Sequence, residues 1–195
     1  PELGSTEQEL SGGSFTVDLI VPLSLRAPLY QAALEQGAMA KDATAWDALR
    51  IRAGWPAWGI DMDDTTLPQE ANFDELGGVS YTKGCYIGQE PVARIHFRGH
   101  VNKSLRVLTI QSEIPPSPGV QLFGDEGRAI GDVRSMTPLD EPNLYQGIGM
   151  VRREIANGST LTARWEDGTH AAPVTAPVHV IRQAIPNGIN ITESH

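Results

Sequence analysis

The stretch "KGCYIGQEPVARIHFRGH", Lys83 to His100, contains the only cysteine of the chain, Cys85, between two glycines and ahead of several basic residues. Within it, "EPVARIHF" predicts a short helix, because Pro91 is tolerated in a first helical turn. Directly afterwards the sequence changes to short β-type runs broken by turn signals. The stretch therefore joins a mixed α/β region to a small antiparallel barrel, with the boundary near His100 to Ser104.

On the N-terminal side the sequence predicts a strand and then a helix. Residues 1–14 are polar and without periodicity, which is typical of a linker or a ragged end. "FTVDLIVPL", Phe15 to Leu23, is mostly apolar and rich in residues that favour strands. In "RAPLYQAALEQGA", Pro28 fits a first helical turn and Gly37 fits a helix stop.

A second helix is predicted from Thr44, as its cap, to Gly54, as its stop. Four residues recur at helical spacing and are expected to face the core together, namely Trp46, Leu49, Arg50 and Ala53. The segment Trp55 to Gly78 has too many Pro, Gly and Asp residues for a regular element. A loop of that length inside a compact domain is usually functional.

After residue 102 the sequence predicts the strands of the barrel. They are "LRVLTIQ", "VQLF", "RAIGDVRS", "YQGIGMV", "TLTARW" and "HAAPVTAP". In "TLTARW" the residues Leu161, Ala163 and Trp165 alternate with polar ones, as a half-buried strand requires. The dipeptide Asp167-Gly168 is a hairpin signal. We therefore expect an α+β chain with a linker at 1–14, an α/β region at 15–102, a barrel at 103–182 and a tail at 183–195.

Composition indicates an ordinary globular protein of 195 residues, 40% apolar and 20% charged. Its net charge of −9 argues against wholesale nucleic-acid binding, because phosphates would be repelled. No apolar run approaches the roughly 18 residues of a membrane span, and no basic region precedes an apolar stretch at the N-terminus. A single cysteine cannot form an internal disulfide. These features predict a cytoplasmic protein that does not contact membranes.

The charge is unevenly distributed along the chain. Between Tyr81 and Arg106 there is one acidic residue, Glu90, against five basic ones, Lys83, Arg94, Arg98, Lys103 and Arg106. Two interpretations stay open at this point. The segment is either a solvated basic face or a site for a small anion.

Cys85 also admits more than one interpretation. A thiol reacts or binds metal as the thiolate, which a cation such as Lys83 and oriented backbone N–H groups favour. A lone cysteine is, however, more often a small buried hydrophobe. A cysteine hydrolase would further need an oriented histidine base. A metal site would use His96 and His100 only if the helix continued through Gly99, so we predict no protein-held metal.

Three of the four tryptophans are close together in the sequence, at Trp46, Trp55 and Trp58. Clustered indoles are most often core anchors. They are also the side chains on which a flat aromatic ligand stacks.

The motif "KGCYIGQE", Lys83 to Glu90, resembles the signature of the YgfZ-type folate-binding proteins, relatives of the aminomethyltransferase (T-protein) of glycine cleavage. The resemblance extends to "WDALRIRAG", "LPQEANFDELGGVSYTKGCY", "VARIHFRG" and "NKSLRVL". The later "GRAIGDVRS" and "GIGMVRRE" resemble the C-terminal barrel of that superfamily. Coverage runs from Val17 to Val178. The resemblance implies an aminomethyltransferase/YgfZ-like fold, with a ferredoxin-like α/β part before the barrel.

The resemblance implies that the bound ligand is tetrahydrofolate or a reduced folate derivative. The tryptophan that contacts folate in the family matches Trp46, the signature lysine and cysteine match Lys83 and Cys85, and Arg94 matches the arginine that follows. Cys85 is thereby the candidate catalytic thiol. The rest of the motif consists of Gly84, Tyr86, Gly88, Gln89 and Glu90. A flat pterin suits an indole, and the glutamate tail of a folate suits a local positive field.

The function implied is support of iron–sulfur cluster assembly or repair, with cluster proteins or their assembly factors as partners and nucleic acid not expected. A folate-dependent aminomethyltransferase is the alternative. Members of the family carry a further domain's worth of chain before Phe15 that supplies part of the folate pocket and the catalytic aspartate of the T-protein. These are not in this sequence, so it does not support aminomethyl transfer. A third hypothesis is a binding module without folate that docks an acidic protein or a structured RNA.

Overall fold

A computed structural model describes residues 5–10, 14–166 and 173–183 of the chain. It contains three helices and eight strands within those ranges. The elements are β1 Ser5–Leu10, β2 Ser14–Leu19, α1 Leu23–Glu35, α2 Ala43–Ala53, α3 Gln89–Arg98, β3 Lys103–Gln111, β4 Gln121–Phe123, β5 Ala129–Pro138, β6 Leu144–Arg152, β7 Thr160–Trp165 and β8 Val174–Gln183.

Strands β1 and β2 form an antiparallel hairpin of their own, in register from Ser5 opposite Leu19 to Leu10 opposite Ser14. The prediction of a linker over residues 1–14 was therefore wrong for Ser5–Leu10, and the strand predicted from Phe15 ends at Leu19 rather than continuing to residue 23. Pairing with a neighbouring strand satisfies backbone N–H and C=O groups whatever the side chains are. A polar strand of this kind leaves little periodic signal in the sequence.

Helix α1 begins earlier than predicted, directly after Pro22, and so contains Pro28 in its interior instead of in its first turn. It ends at Glu35, two residues before Gly37, whose φ of 92° is a conformation suited to glycine. The stop predicted at Gly37 is thus confirmed. None of its residues is buried within the described part of the chain.

Helix α2 is capped by Asp42, not by Thr44, since the Asp42 carboxylate accepts the N–H of Ala45 at 2.9 Å. The predicted stop at Gly54 is confirmed, with φ 78°. The face that packs against β5 and β6 carries Arg50, Ile51 and Ala53. The expectation that Trp46 faces inward was wrong, because its side chain is 52% exposed.

The predicted antiparallel barrel is confirmed as six strands that close in the order β3-β6-β5-β4-β7-β8. Strand β7 shows the expected alternation, with Leu161, Ala163 and Trp165 pointing inward. The predicted turn at Asp167-Gly168 lies outside the described residues. The six barrel strands span Lys103 to Gln183, while the division of the chain into domains stays a prediction.

Two apolar clusters hold the barrel. The first fills its interior with buried side chains from all six strands, including Leu108, Leu122 and Val178. The second lies where Ile51 of α2 and Ala71 pack on Leu105, Val107, Ile148 and Met150. Strands β3 and β6 are therefore covered on both faces, and full burial of each such side chain contributes about 1.5–3 kcal/mol.

The predicted irregular segment, residues 55–78, has no helix or strand apart from one isolated bridge between Trp58 and Met62. Polar contacts attach it to the barrel instead. The Asn72 side chain donates to the Leu105 carbonyl at 3.0 Å, and the Leu105 N–H donates to the Glu70 carbonyl at 2.8 Å. Among the described residues, no helix has both the length and the apolar character that crossing a membrane requires.

Candidate functional site

The Lys83–Glu90 motif forms a turn that leads into α3. Gly88 is the residue before the helix and has φ 86°, a left-handed conformation that side chains resist. Directly before it, the N–H of Tyr86 donates to the Gln89 side-chain oxygen at 3.2 Å, and the Gln89 N–H donates back to the Tyr86 carbonyl at 3.3 Å. Gly88 and Gln89 thus have local structural roles, and the Ile87 side chain directly before them is fully exposed.

A cleft of about 670 Å³ opens at this N-terminal end of α3. Five of the predicted motif residues line it, namely Cys85, Tyr86, Gly88, Gln89 and Glu90, together with Pro91 and Ala93. The Cys85 thiol is exposed and free. Among the described residues, Cys85 is therefore not packed as a buried hydrophobe.

The two predicted cations of the site lie beside this cleft and not in its lining. Lys83 is exposed, and its ammonium lies 4.8 Å from the centroid of the Tyr86 ring, a cation–π geometry. Arg94 is exposed on α3. Both contribute positive charge near the cleft, whereas Glu90 in the first turn of α3 contributes the opposite sign.

Trp46 presents an exposed indole on α2. No hydrogen bond, ion pair or ring contact joins it to the Lys83–Arg94 segment in the described part of the chain. The predicted site residues thus form one local group around Cys85 and a separate aromatic surface on α2. That the two surfaces bind one ligand remains a prediction.

A second polar cluster lies behind the motif and was not predicted. The Tyr81 hydroxyl donates to Asp74 at 2.5 Å and accepts from Gln69 at 3.1 Å, while His96 Nδ1 lies 3.3 Å from the other Asp74 oxygen. The His96 ring stacks on Tyr81 with 3.7 Å between centroids. Burial, and then the bond to Asp74, raise the pKa of Tyr81 to about 12.

These four residues have no common spacing in the sequence, so periodicity could not have grouped them. Their only signal was membership of the longer stretch that carries the family resemblance. The helix ends at Arg98, and Gly99 continues in extended conformation, so His96 and His100 do not share one helical face. Within the described ranges, no three His, Cys, Asp or Glu side chains are grouped as metal ligands would be.

No protein-family model matches the chain. It is 33% identical over 142 residues to the tRNA-modifying protein YgfZ of Cronobacter sakazakii, which covers 71% of this chain and 43% of that protein. The protein of the same name from Sodalis glossinidius is 36% identical over 139 residues, covering 69% and 42%. That from Klebsiella pneumoniae is 37% identical over 121 residues, covering 60% and 37%. The chain thus spans less than half the length of the curated relatives it matches.

Among solved structures, the glycine cleavage system aminomethyltransferase T from Bartonella henselae matches with a TM-score of 0.68. The match covers 85% of this chain and 45% of that one, at 20% sequence identity, so it bears on the fold alone. It confirms the predicted α+β class and aminomethyltransferase-like fold. Over the region it shares with them, the chain belongs to the YgfZ family, built on the fold of the glycine-cleavage aminomethyltransferase.

Proposed function

We propose that the protein binds tetrahydrofolate or a reduced derivative of it and, as an accessory protein, supports the assembly or repair of iron–sulfur clusters. The observation that carries the proposal is the exposed signature motif, with Cys85 at the mouth of a cleft of about 670 Å³. Membership of the YgfZ family supports the ligand class. The cleft lies within the volume range of about 300–1,000 Å³ that is usual for small-molecule sites.

Exposed aromatic and cationic side chains support a folate as the ligand. An indole that is half in solvent, as in Trp46, leaves a face for a flat pterin ring. The glutamate tail carries carboxylates, which Lys83 and Arg94 attract within an otherwise acidic protein. We therefore infer that the pterin contacts α2 and that the tail or the one-carbon position lies near the Cys85 cleft.

The binding step is tested by titrating the full-length protein with 5-formyltetrahydrofolate and following tryptophan fluorescence. Loss of one aromatic stacking partner costs about 1–3 kcal/mol, so Trp46→Ala is expected to weaken affinity roughly 5- to 160-fold. The matched control is Trp58→Ala, which removes another exposed indole (68% exposed) and should bind as the unaltered protein does. If Trp46→Ala and the control bound 5-formyltetrahydrofolate with equal affinity, Trp46 would not be part of the folate site.

The role of the thiol is tested separately from binding. Cys85 is exposed, so Cys85→Ala is expected to leave the fold and the folate affinity unchanged. Cells in which it replaces the unaltered protein should lose activity of iron–sulfur enzymes. Because the matched relatives are named tRNA-modifying proteins, the modified nucleosides of cellular tRNA are measured in the same strains. Full function of Cys85→Ala in both measurements would leave the cysteine without a chemical role.

The alternative, a folate-dependent aminomethyltransferase, predicts release of ammonia from an aminomethyl-loaded carrier protein when tetrahydrofolate is present. Detection of ammonia would replace the accessory role by an enzymatic one. A binding module without folate predicts the opposite pattern, in which the basic segment from Tyr81 to Arg106 binds an acidic protein or an RNA. Such binding would weaken with salt and would not respond to folate.

A further inference from the structure

A second cleft of about 260 Å³ lies at the C-terminal end of α3 and shares no lining residue with the cleft at Cys85. Its walls come from four places: the irregular segment before α3, the end of α3 with the residues that follow it, the start of strand β3, and Arg153 directly after β6. Sites for drug-sized ligands usually measure about 300–1,000 Å³. This cleft therefore suits a ligand smaller than folate.

Arg106 is the feature that points to a ligand. It lines the cleft and is only 6% exposed, with its guanidinium bonded to neutral groups, the Ser104 hydroxyl at 3.2 Å and the Asn157 side-chain oxygen at 2.8 Å. Within the ranges that the structure describes, no carboxylate lies at ion-pair distance from it. Burial lowers the pKa of Arg106, and no neighbouring acid offsets that effect. A buried charge without a counter-ion is costly to keep.

The cleft is lined by side chains of both charges. Arg106 and Arg153 come from the barrel side, whereas Asp74 and Glu75 come from the irregular segment. Among the described residues no ion pair bridges the two sides. The acids and the arginines thus line one cleft without pairing with each other, while His96, which also lines it, lies 3.3 Å from Asp74.

We propose that this cleft binds a small zwitterion of the amino-acid type, with its carboxylate on Arg106 and Arg153 and its ammonium group toward Asp74 and Glu75. A guanidinium binds a carboxylate through parallel N–H···O bonds, which would supply the missing counter-ion of Arg106. A simple anion would be repelled by the two acids. A simple cation would be repelled by the two arginines and would leave Arg106 uncompensated.

The proposal is tested by calorimetric titration of the full-length protein with glycine, the smallest such zwitterion. Acetate and methylammonium serve as its two halves. Glycine is expected to bind at least tenfold more tightly than either half. Arg106→Met should weaken glycine binding at least tenfold while the fold is kept or stabilised, because an unpaired buried charge is removed. Glu75→Gln should weaken glycine binding severalfold and strengthen acetate binding, because one of the two acids that repel a simple anion is removed.

Arg152→Gln is the matched control, since Arg152 neighbours Arg153 in sequence but lines a different cleft. It should bind glycine as the unaltered protein does. Folate affinity is measured in the same variants and should not change in Arg106→Met. Loss of glycine binding is thereby distinguished from loss of folate binding. Glycine affinity that is undetectable, unchanged in Arg106→Met, or no greater than that for acetate or methylammonium would overturn the proposal.

Discussion

Asp61 joins three parts of the molecule through one fully buried carboxylate. One of its oxygens lies 2.6 Å from Arg50 Nη1 on α2 and accepts the N–H of Ala57 at 2.8 Å. The other accepts the hydroxyl of Ser135 on β5 at 2.5 Å. The carboxylate thus attaches both α2 and the irregular segment to the barrel, and we expect Asp61→Asn to be the most informative single change for this junction.

Asparagine keeps the shape of Asp61 but leaves Arg50, which is 5% exposed, with no counter-ion on that side. Removing one partner of a buried ion pair costs about 3–5 kcal/mol. At about 2–4 °C per kcal/mol for a chain of this size, the melting temperature should fall by about 6–20 °C. The exposed pair between Arg52 and Asp140, at 3.4 Å with Asp140 96% exposed, provides the control. Asp140→Asn should cost no more than about 1 kcal/mol.

The free energy of unfolding is measured by urea titration with tryptophan fluorescence as the signal, and the melting temperature by circular dichroism. Combining Asp61→Asn with Arg50→Met should recover part of the loss, because the double variant no longer buries an unpaired charge. If Asp61→Asn cost no more than the Asp140 control, the carboxylate would not hold the junction.

Two further predictions concern the polar cluster and the barrel. The pKa of Tyr81 is raised to about 12 from an unfolded value of about 10. The stability that the neutral Tyr81 side chain contributes is therefore complete below about pH 10 and is lost as the pH rises through 12. A tyrosinate absorbance transition near pH 12 should be present in the unaltered protein and should vanish in Tyr81→Phe. Gly131→Ala would place a Cβ against the Met150 carbonyl oxygen, closer than real Cβ atoms approach, so it should lower the free energy of unfolding by about 1–3 kcal/mol or more. Gly124→Ala, with its nearest contact at 3.6 Å, should cost far less in the same urea titration.

The barrel was predictable because its strands follow a period of two. In β7 the alternation of Leu161, Ala163 and Trp165 with polar residues is the alternation of buried and exposed positions in the structure. Strand β1 lacked such a pattern and was missed. Its backbone pairs with β2, yet nothing in its polar sequence marks one face as apolar.

The orientation of α2 could not be read from hydropathy. Of the predicted stripe, Arg50 and Ala53 are buried, whereas Leu49 is 39% exposed and Trp46 is 52% exposed. The reason is the ion pair with Asp61, a buried charge interaction whose partner lies in a segment without periodicity. Rotating the helix to bury Arg50 and Ile51 leaves the indole in solvent, which is the position that a ligand-stacking role requires.

The side-chain contacts around Asp74 could not be predicted from the sequence either. Tyr81, Asp74 and His96 come from a loop and a helix, and only the folded chain brings the Tyr81 hydroxyl and His96 Nδ1 within 3.3 Å of the Asp74 carboxylate. The sequence motif indicates a functional region, but it does not predict which side chains are in contact. Pro91 in a first turn predicted the helix that carries His96, whereas the contacts of His96 depend on how residues 55–78 lie on the barrel.

Those residues are irregular in backbone but firmly attached. Asn72, with φ 58°, is 2% exposed and donates to the Leu105 carbonyl, while Gln69 donates to the Val92 carbonyl of α3 at 3.0 Å. One buried polar segment thus fixes α3 relative to β3, and so fixes the two clefts that lie at opposite ends of α3. Buried polar contacts of this kind are specific in geometry and costly to break. They therefore suit the positioning of ligand sites better than apolar packing alone.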